Sequence, residues 1–116
     1  MQVMTTLPQE NLNDVPQAAR NAEMVGFDMV ATMENRYEPF MPLAAAAIST
    51  KTINIGTAVA IAFPRSPMVV ASTCWDLQNA SDGRFVLGLG PQIKPHNEKR
   101  FSVPWSPPAP RIREYV

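Results

Sequence analysis

The ten residues Ser81 to Gly90, Ser-Asp-Gly-Arg-Phe-Val-Leu-Gly-Leu-Gly, constrain the fold more than any other stretch of the chain. Gly83 suits the left-handed residue that closes a helix. The run from Phe85 to Leu89 carries no charge, as expected of a parallel strand that is covered on both faces. Gly90 follows, where glycine lets the backbone turn sharply and lets a ligand come close. These features predict a strand-to-helix loop at the catalytic end of an α/β fold.

The rest of the chain alternates short apolar runs with stretches of helical spacing. We predict strands at 3–7, 27–32, 53–61 and 85–89, and helices at 13–25, 40–49 and 68–80, with another helix starting at 111. Strands that alternate with helices imply parallel pairing through right-handed crossovers. Two architectures fit this order: an open doubly wound sheet, or four units of an eight-unit barrel. The first strand lacks a following Gly-x-Gly-x-x-Gly, the dinucleotide fingerprint of the open fold, but the pattern alone leaves both architectures open.

Composition excludes several classes of function. The 116 residues form one domain at most, with a formal net charge of zero and no basic run beyond Lys94 to Arg100, which argues against a nucleic-acid or membrane partner. Cys74 is the only cysteine, so no internal disulfide or cysteine-based zinc cluster is expected. The N-terminus shows no secretion signal and no run reaches the length of a membrane span, so we expect a cytoplasmic protein.

Four segments in order carry a family resemblance. They are Ala22–Asp28 (Ala-Glu-Met-Val-Gly-Phe-Asp), Thr32–Glu34 (Thr-Met-Glu), Ile55–Val59 (Ile-Gly-Thr-Ala-Val) running on to Arg65–Pro67, and Ser81–Gly90. Through these four segments the chain resembles the N-terminal half of the luciferase-like flavin- and deazaflavin-dependent oxidoreductases, the class of bacterial luciferase. The match runs on to Arg111–Tyr115, and the tail from Gln92 to Trp105 looks like a deazaflavin-linked branch.

The resemblance favours the barrel. It implies a partial TIM (β/α)8 barrel in which residues 1–116 form the first four βα units, with 91–110 as a long loop after the fourth strand. A half barrel exposes the flanks of its first and fourth strands, so we expect self-association or a missing C-terminal half. The implied activity is hydride transfer between the deazaflavin coenzyme F-420, or alternatively FMN, and an organic substrate, as an oxidoreductase or monooxygenase. The alternatives are a truncated, non-catalytic half barrel that needs a partner, and an open-sheet α/β binding module.

Glu34 and Asn35 are the candidate catalytic residues that the resemblance implies. Relatives carry an acid near the cofactor ring at the position of Glu34, where a carboxylate could orient a donor or accept a proton. The alternative is a solvated loop acid. Relatives that use a catalytic histidine carry it directly after this acid, whereas Asn35 cannot exchange protons near neutral pH.

Ala58, Val59, Gly88, Gly90 and Gln92 are the candidate cofactor-binding residues. The resemblance implies a bulge at Ala58–Val59, often with a non-proline cis peptide, against which the ring packs. In an isolated half barrel the favoured alternative is an ordinary buried strand. The two glycines and Gln92 fall where the family's fourth-strand loop contacts the cofactor through its backbone, although they could equally make a tight turn.

The remaining conspicuous side chains favour simpler interpretations. His96, the only histidine, lies beside lysines and is expected to be solvated, and no metal site is predicted. Arg65 could pair with a phosphate or a carboxylate, although a loop arginine is usually solvated. Cys74 is expected in the core rather than as a nucleophile, because nothing basic is spaced to activate it.

Overall fold

The computed structural model describes residues 1–116. The chain forms six short strands and four α-helices; a 3-10 turn (Leu12–Asp14) leads into the first helix, and a π-helical turn (His96–Arg100) precedes the last. The strands are β1 Met4–Thr6, β2 Met29–Thr32, β3 Asn54–Thr57, β4 Ala60–Ile61, β5 Phe85–Val86 and β6 Leu89–Gly90. The helices are α1 Val15–Val25, α2 Phe40–Ser49, α3 Pro67–Ser81 and α4 Pro108–Tyr115. The predicted third and fourth strands are therefore each split into two short pieces.

The strands lie side by side in chain order and are all parallel. The main sheet has the order β1-β2-β3-β5, and β4 pairs with β6 beyond it. Helices α1, α2 and α3 pack on one face of this sheet, where they share one apolar core with the strands. A doubly wound sheet would reverse the strand order and place helices on both faces. The order observed is that of the first four units of a (β/α)8 barrel.

Small side chains let α2 lie close to the sheet. Leu43, Ala46 and Ala47 on α2 are at most 1% exposed and pack in the core with Val30 and Ile55 of the strands. Burial of each large aliphatic side chain of this kind contributes roughly 1.5–3 kcal/mol, so a few such contacts hold the helix in place.

Two charged side chains fix the loop between α2 and β3, at the N-terminal end of the strands. One is Glu23 of α1, whose Oε1 accepts hydrogen bonds from the amides of Lys51, Thr52 and Ile53 at 2.8, 2.6 and 3.0 Å. Burial alone would raise the pKa of the Glu23 carboxyl, but these amide donors and the Thr52 hydroxyl outweigh it and lower the pKa to about 2. Glu23 therefore stays ionised and holds the loop by its backbone amides.

The second is Arg84, from the stretch that follows α3. The chain leaves α3 through Asp82 and Gly83, both with positive φ, the left-handed exit predicted for Gly83. Arg84 then donates to the carbonyl oxygens of Ala47, Thr50 and Ile53 at 3.1, 3.0 and 2.6 Å. The Ala47 and Thr50 carbonyls lie at the C-terminal end of α2, where a cation is favourable, and the Ile53 carbonyl lies directly before β3.

The fourth strand is covered on one face, not on both faces as predicted. Phe85 is buried, but Val86 is 49% exposed, because only the helix-facing side of the sheet is covered within this chain. Leu87 lies beside α3 at a surface cavity and is 38% exposed. Gln78 of α3 occupies part of this strand's free edge. Its carboxamide accepts from the Phe85 amide at 3.2 Å and donates to the Phe85 carbonyl at 2.8 Å.

The loop after the fourth strand is shorter than the predicted loop at 91–110, because part of this segment is helical. It contains the π-helical turn His96–Arg100, and α4 begins at Pro108, where proline suits the first helical turn. None of the helices is both long and apolar enough to cross a membrane.

Candidate functional site

The C-terminal ends of the second, third and fourth strands meet around a cavity of about 290 Å³. Its lining comes from three loops: Met33, Glu34 and Asn35 after β2; Ala58, Val59 and Ile61 around the break in the third strand; and Gly90, Pro91 and Gln92 after the fourth. Six of the seven predicted site residues thus lie at one cavity, and Gly88 lies directly beneath Val59. We refer to this cavity and its lining as the candidate site.

The third strand carries a bulge at Ala58–Val59. Partner residues across the third and fourth strands shift by one between the pairs Ile55–Phe85 and Ala60–Leu89, so the third strand holds one extra residue there. The Ala58–Val59 peptide bond is cis. The bulge that the resemblance implied is therefore present, and the favoured alternative of an ordinary buried strand is wrong, because Val59 is turned outward and is 44% exposed.

Val59 explains why two glycines follow on the neighbouring strand. A Cβ atom on Gly90 would lie 2.8 Å from Val59 Cγ2, and one on Gly88 would lie 3.2 Å from Val59 Cγ1 and collide with the Thr57 carbonyl. The predicted sharp turn at Gly90 is wrong, since Gly90 belongs to strand β6 and has no positive φ. Both positions need glycine for space, and the result is an apolar platform formed by Val59 lying over two bare stretches of backbone.

Thr57 joins the third and fourth strands where their backbone ladder is interrupted. Its hydroxyl donates to the Gly88 carbonyl at 2.7 Å and accepts from the Gly88 amide at 2.9 Å, so one side chain replaces a pair of ladder hydrogen bonds. Sequence reasoning missed this role. A threonine directly before a predicted bulge is the only signal that could have indicated it.

Glu34 is buried, with 7% of its surface exposed. Its Oε2 accepts from the Ile61 amide at 2.7 Å and from Arg65 Nη1 at 2.6 Å, while its own amide donates to the Val59 carbonyl at 3.4 Å. The alternative of a solvated loop acid is therefore wrong. Arg65 is not solvated either, because it binds Glu34 and also donates to the Ile61 carbonyl at 2.8 Å.

The family model described as luciferase-like monooxygenase matches residues 1–116. The chain belongs to that family.

Among its relatives is the uncharacterized protein Rv1360 of Mycobacterium tuberculosis, 54% identical over 99 residues, which cover 85% of this chain and 29% of that protein. The coenzyme F-420-dependent tetrahydromethanopterin reductase of Methanopyrus kandleri superposes with a TM-score of 0.82 at 27% identity, covering 98% of this chain and 38% of the other. The 3,6-diketocamphane monooxygenase component of Pseudomonas putida, in complex with FMN, gives 0.81 at 19% identity, with 99% and 37% covered. The chain thus spans less than a third of Rv1360.

Within this luciferase-like chain, Asn35 and Gln92 lie at the rim of the candidate site. Asn35 is exposed, and its backbone amide donates to the Met33 carbonyl at 3.1 Å. Gln92 has a positive φ of 58°, and its Oε1 accepts from the Ile93 amide at 2.9 Å. Asn35 also lines a neighbouring cavity of about 380 Å³ between the ends of β1 and β2, so it lies between two open spaces.

Asn97 supports the Gln92 side of the site and was missed by sequence reasoning. It is fully buried in the π-helical turn, and its Nδ2 donates to the carbonyls of Pro91 and Ile93 at 2.9 and 3.1 Å. The loop that carries Gln92 is therefore held from behind by one carboxamide. Only the buried contacts reveal this, since an asparagine in a polar, proline-rich segment looks solvated.

Two other side chains stay outside the site. His96 is exposed, and the chain has no cluster of three His, Cys, Asp or Glu side chains that could hold a metal ion. Cys74 is half-buried against the core, and burial raises the pKa of its thiol. A raised pKa leaves little thiolate at neutral pH, so Cys74 is a packing residue, as expected.

Proposed function

We propose that this chain forms the cofactor-binding wall of an oxidoreductase that transfers hydride between a deazaflavin or flavin and an organic substrate. The observation that carries this proposal is the platform at the C-terminal edge of the sheet, where half-exposed Val59 lies over Gly88 and Gly90. Ligand sites combine an apolar surface with a few polar groups at fixed positions. Val59 supplies the apolar surface, and Glu34, Asn35 and Gln92 supply polar groups around it.

The fit to a flat ring system rests on the shape of this wall. Because Gly90 carries no side chain, Val59 can lie against the backbone there, and its half-exposed side chain would present an apolar face to a flat ligand. The ring would supply the hydride chemistry, and the protein would supply position and electrostatics. Ala58 and Val59 would contact its face, and Glu34 would offer a carboxylate held at a fixed point. Asn35 would orient ligand groups by hydrogen bonding, because a carboxamide does not exchange protons near neutral pH.

Coenzyme F-420 is the cofactor we favour, with FMN as the alternative. The tail from Gln92 to Trp105 resembles a deazaflavin-linked branch, and the Methanopyrus kandleri reductase, 27% identical, is dependent on F-420. The FMN-bound Pseudomonas putida enzyme is only 19% identical, a level at which similarity indicates the fold and not the ligand. The substrate would occupy the adjoining space of about 380 Å³ that shares Met33 and Asn35 with the candidate site.

A second candidate function is a non-catalytic half barrel that requires a partner. Met4 and Val86, on the sheet face away from the helices, are 51% and 49% exposed, and the outer edges of β1 and the fourth strand have no strand beside them. Either a second copy or a C-terminal half of a luciferase-like barrel would cover this face. Residues 1–116 would then be one part of a larger domain, and the cytoplasmic location stays a prediction from the sequence.

Cofactor titration tests these proposals. The chain is titrated with F-420 and, separately, with FMN, with fluorescence quenching as the readout, alone and mixed with the C-terminal portion of a close relative. We expect Val59→Asp to weaken binding at least tenfold, because it places a charge against the ring face. The matched control is Val69→Asp, at an exposed valine of α3. Binding that appears only in the mixture would favour the half barrel that needs a partner. Equal affinity of the two variants would contradict the proposed site.

A further inference from the structure

One guanidinium links the loops of two successive βα units beside the candidate site. Arg65 precedes α3, and its Nη1 contacts Glu34 Oε2 at 2.6 Å and the Ile61 carbonyl at 2.8 Å. Its Nη2 lies 3.4 Å from Oε1 of Glu38, and its guanidinium carbon lies 5.5 Å from the centre of the Phe40 ring. Arg65 therefore binds two carboxylates that both belong to the loop between β2 and α2.

Each of those carboxylates organises backbone of its own. Glu38 Oε2 accepts from the amides of Phe40 and Met41 at 2.7 and 2.8 Å, which caps the first turn of α2. Glu34 accepts from the Ile61 amide and donates its own amide to Val59, so it bridges both ends of the bulge. A carboxylate as deeply buried as Glu34 is costly unless a cation compensates it. Arg65 is that cation, and its side chain is itself only 19% exposed.

We propose that Arg65 is a positioning residue that fixes Glu34 and, through Glu34, the Val59 face of the candidate site. Only the effect of Arg65 on cofactor binding rests on the proposed function. The positioning of Glu34 against the bulge is a property of the folded chain alone. Without Arg65, the buried Glu34 carboxylate turns toward water and releases the Ile61 amide, and Val59 loses its fixed orientation over Gly90.

Amide hydrogen exchange measured residue by residue tests the positioning. The variant is Arg65→Met, which keeps the aliphatic stem and removes the charge. The matched control is Arg111→Met, because Arg111 packs on the same side over the Phe63 ring and does not bind Glu34. Charge-assisted hydrogen bonds are stronger than neutral ones, so we expect exchange at Ile61 to accelerate at least roughly tenfold in Arg65→Met. Arg65→Lys, which keeps the charge, should recover most of the protection.

The reference amides are those of Thr52 and Ile53, which Glu23 holds at the opposite end of the strands. Their exchange should stay unchanged in Arg65→Met, since a purely global loss of stability would accelerate all of these amides together. Unchanged protection at Ile61, or equal acceleration at Ile61 and Thr52, would overturn the proposal.

The second measurement is the dissociation constant for FMN as the probe. We expect it to rise at least fivefold in Arg65→Met and to stay within twofold in Arg111→Met. If exchange in Arg65→Met accelerates at Ile61 but not at Thr52, and the unmodified chain does not bind FMN, the result would support the positioning role and count against the proposed function. Equal FMN affinity of the unmodified chain and Arg65→Met would overturn the influence of Arg65 on the site.

Discussion

The hydrogen bonds that Glu23 accepts from three backbone amides predict a specific loss of stability in acid. Its pKa is about 2 in the folded chain, against 4.5 for an ordinary glutamate. Because the folded-state pKa is the lower one, this carboxylate stabilises the fold fully above about pH 4.5, and the stabilisation is lost as the pH falls from there toward 2. The gap between these two pKa values corresponds to an upper bound of about 3–4 kcal/mol, and screening of this half-buried group by solvent reduces it to about 1–2 kcal/mol.

Substitution of Glu23 by glutamine isolates this contribution. The glutamine side chain keeps the shape and an acceptor oxygen but lacks the charge that strengthens the three amide hydrogen bonds. We expect Glu23→Gln to lower the free energy of unfolding by about 1–2 kcal/mol at pH 7, a fall of about 1 M in the urea midpoint. At pH 2 the difference between the two chains should shrink toward zero, because little of the charge-dependent stabilisation survives once the pH reaches the folded-state pKa.

The assay is urea unfolding followed by circular dichroism at pH 7, 4 and 2. Glu114→Gln is the control, since Glu114 is an exposed acid on α4. The two chains differ only at position 23, so the difference in stability between them reports Glu23 alone. A difference that stays constant from pH 7 to pH 2 would refute the reasoning, as would a Glu23→Gln chain as stable as the unmodified one at pH 7.

Two further substitutions test the packing and the open face. Gly88→Ala should cost more than about 2 kcal/mol by thermal melting, because its Cβ collides with the Thr57 carbonyl, whereas Gly26→Ala, which meets no atom but has a positive φ of 95°, should cost about 1 kcal/mol. Val86→Lys should shift sedimentation velocity profiles toward the monomer by placing a charge on the uncovered sheet face, and Ile48→Lys, at a helix position 79% exposed, should leave them unchanged. Similar melting of the two glycine variants, or similar profiles of the two lysine variants, would contradict these expectations.

The sequence predicts the elements and their order well, because each depends on local signals. Alternating apolar runs and helical spacing locate four βα units, and the glycine at position 83 correctly marks the left-handed exit of α3. Strand boundaries are less accurate: the predicted strand 53–61 breaks at Ala58–Val59, since a bulge is set by what the neighbouring strand presents. Only the family resemblance indicated that break.

The contacts that shape the site are largely invisible in the sequence. Arg65 and Glu34 are 31 residues apart, and Thr57 and Gly88 are equally distant, so no local pattern connects them. Glu23 and Arg84 lie in the segments that carry the resemblance, yet they hold one loop at the end of the sheet remote from the site. A shared motif therefore marks residues at the candidate site and purely structural residues alike, and only the fold separates them.

The carboxamide of Gln78 limits how another chain can add to this sheet. By occupying both backbone groups of Phe85, it leaves no free donor or acceptor at the lower part of that border. An incoming strand can form backbone hydrogen bonds only past that point, from Leu87 onward, displaced toward the C-terminal ends of the strands. Such a stagger is what a tilted, closing cylinder demands, whereas flat end-on-end growth into fibres needs the whole border free. The Gln78 side chain thus favours staggered strand addition, which closes a barrel, over the in-register addition that builds fibres.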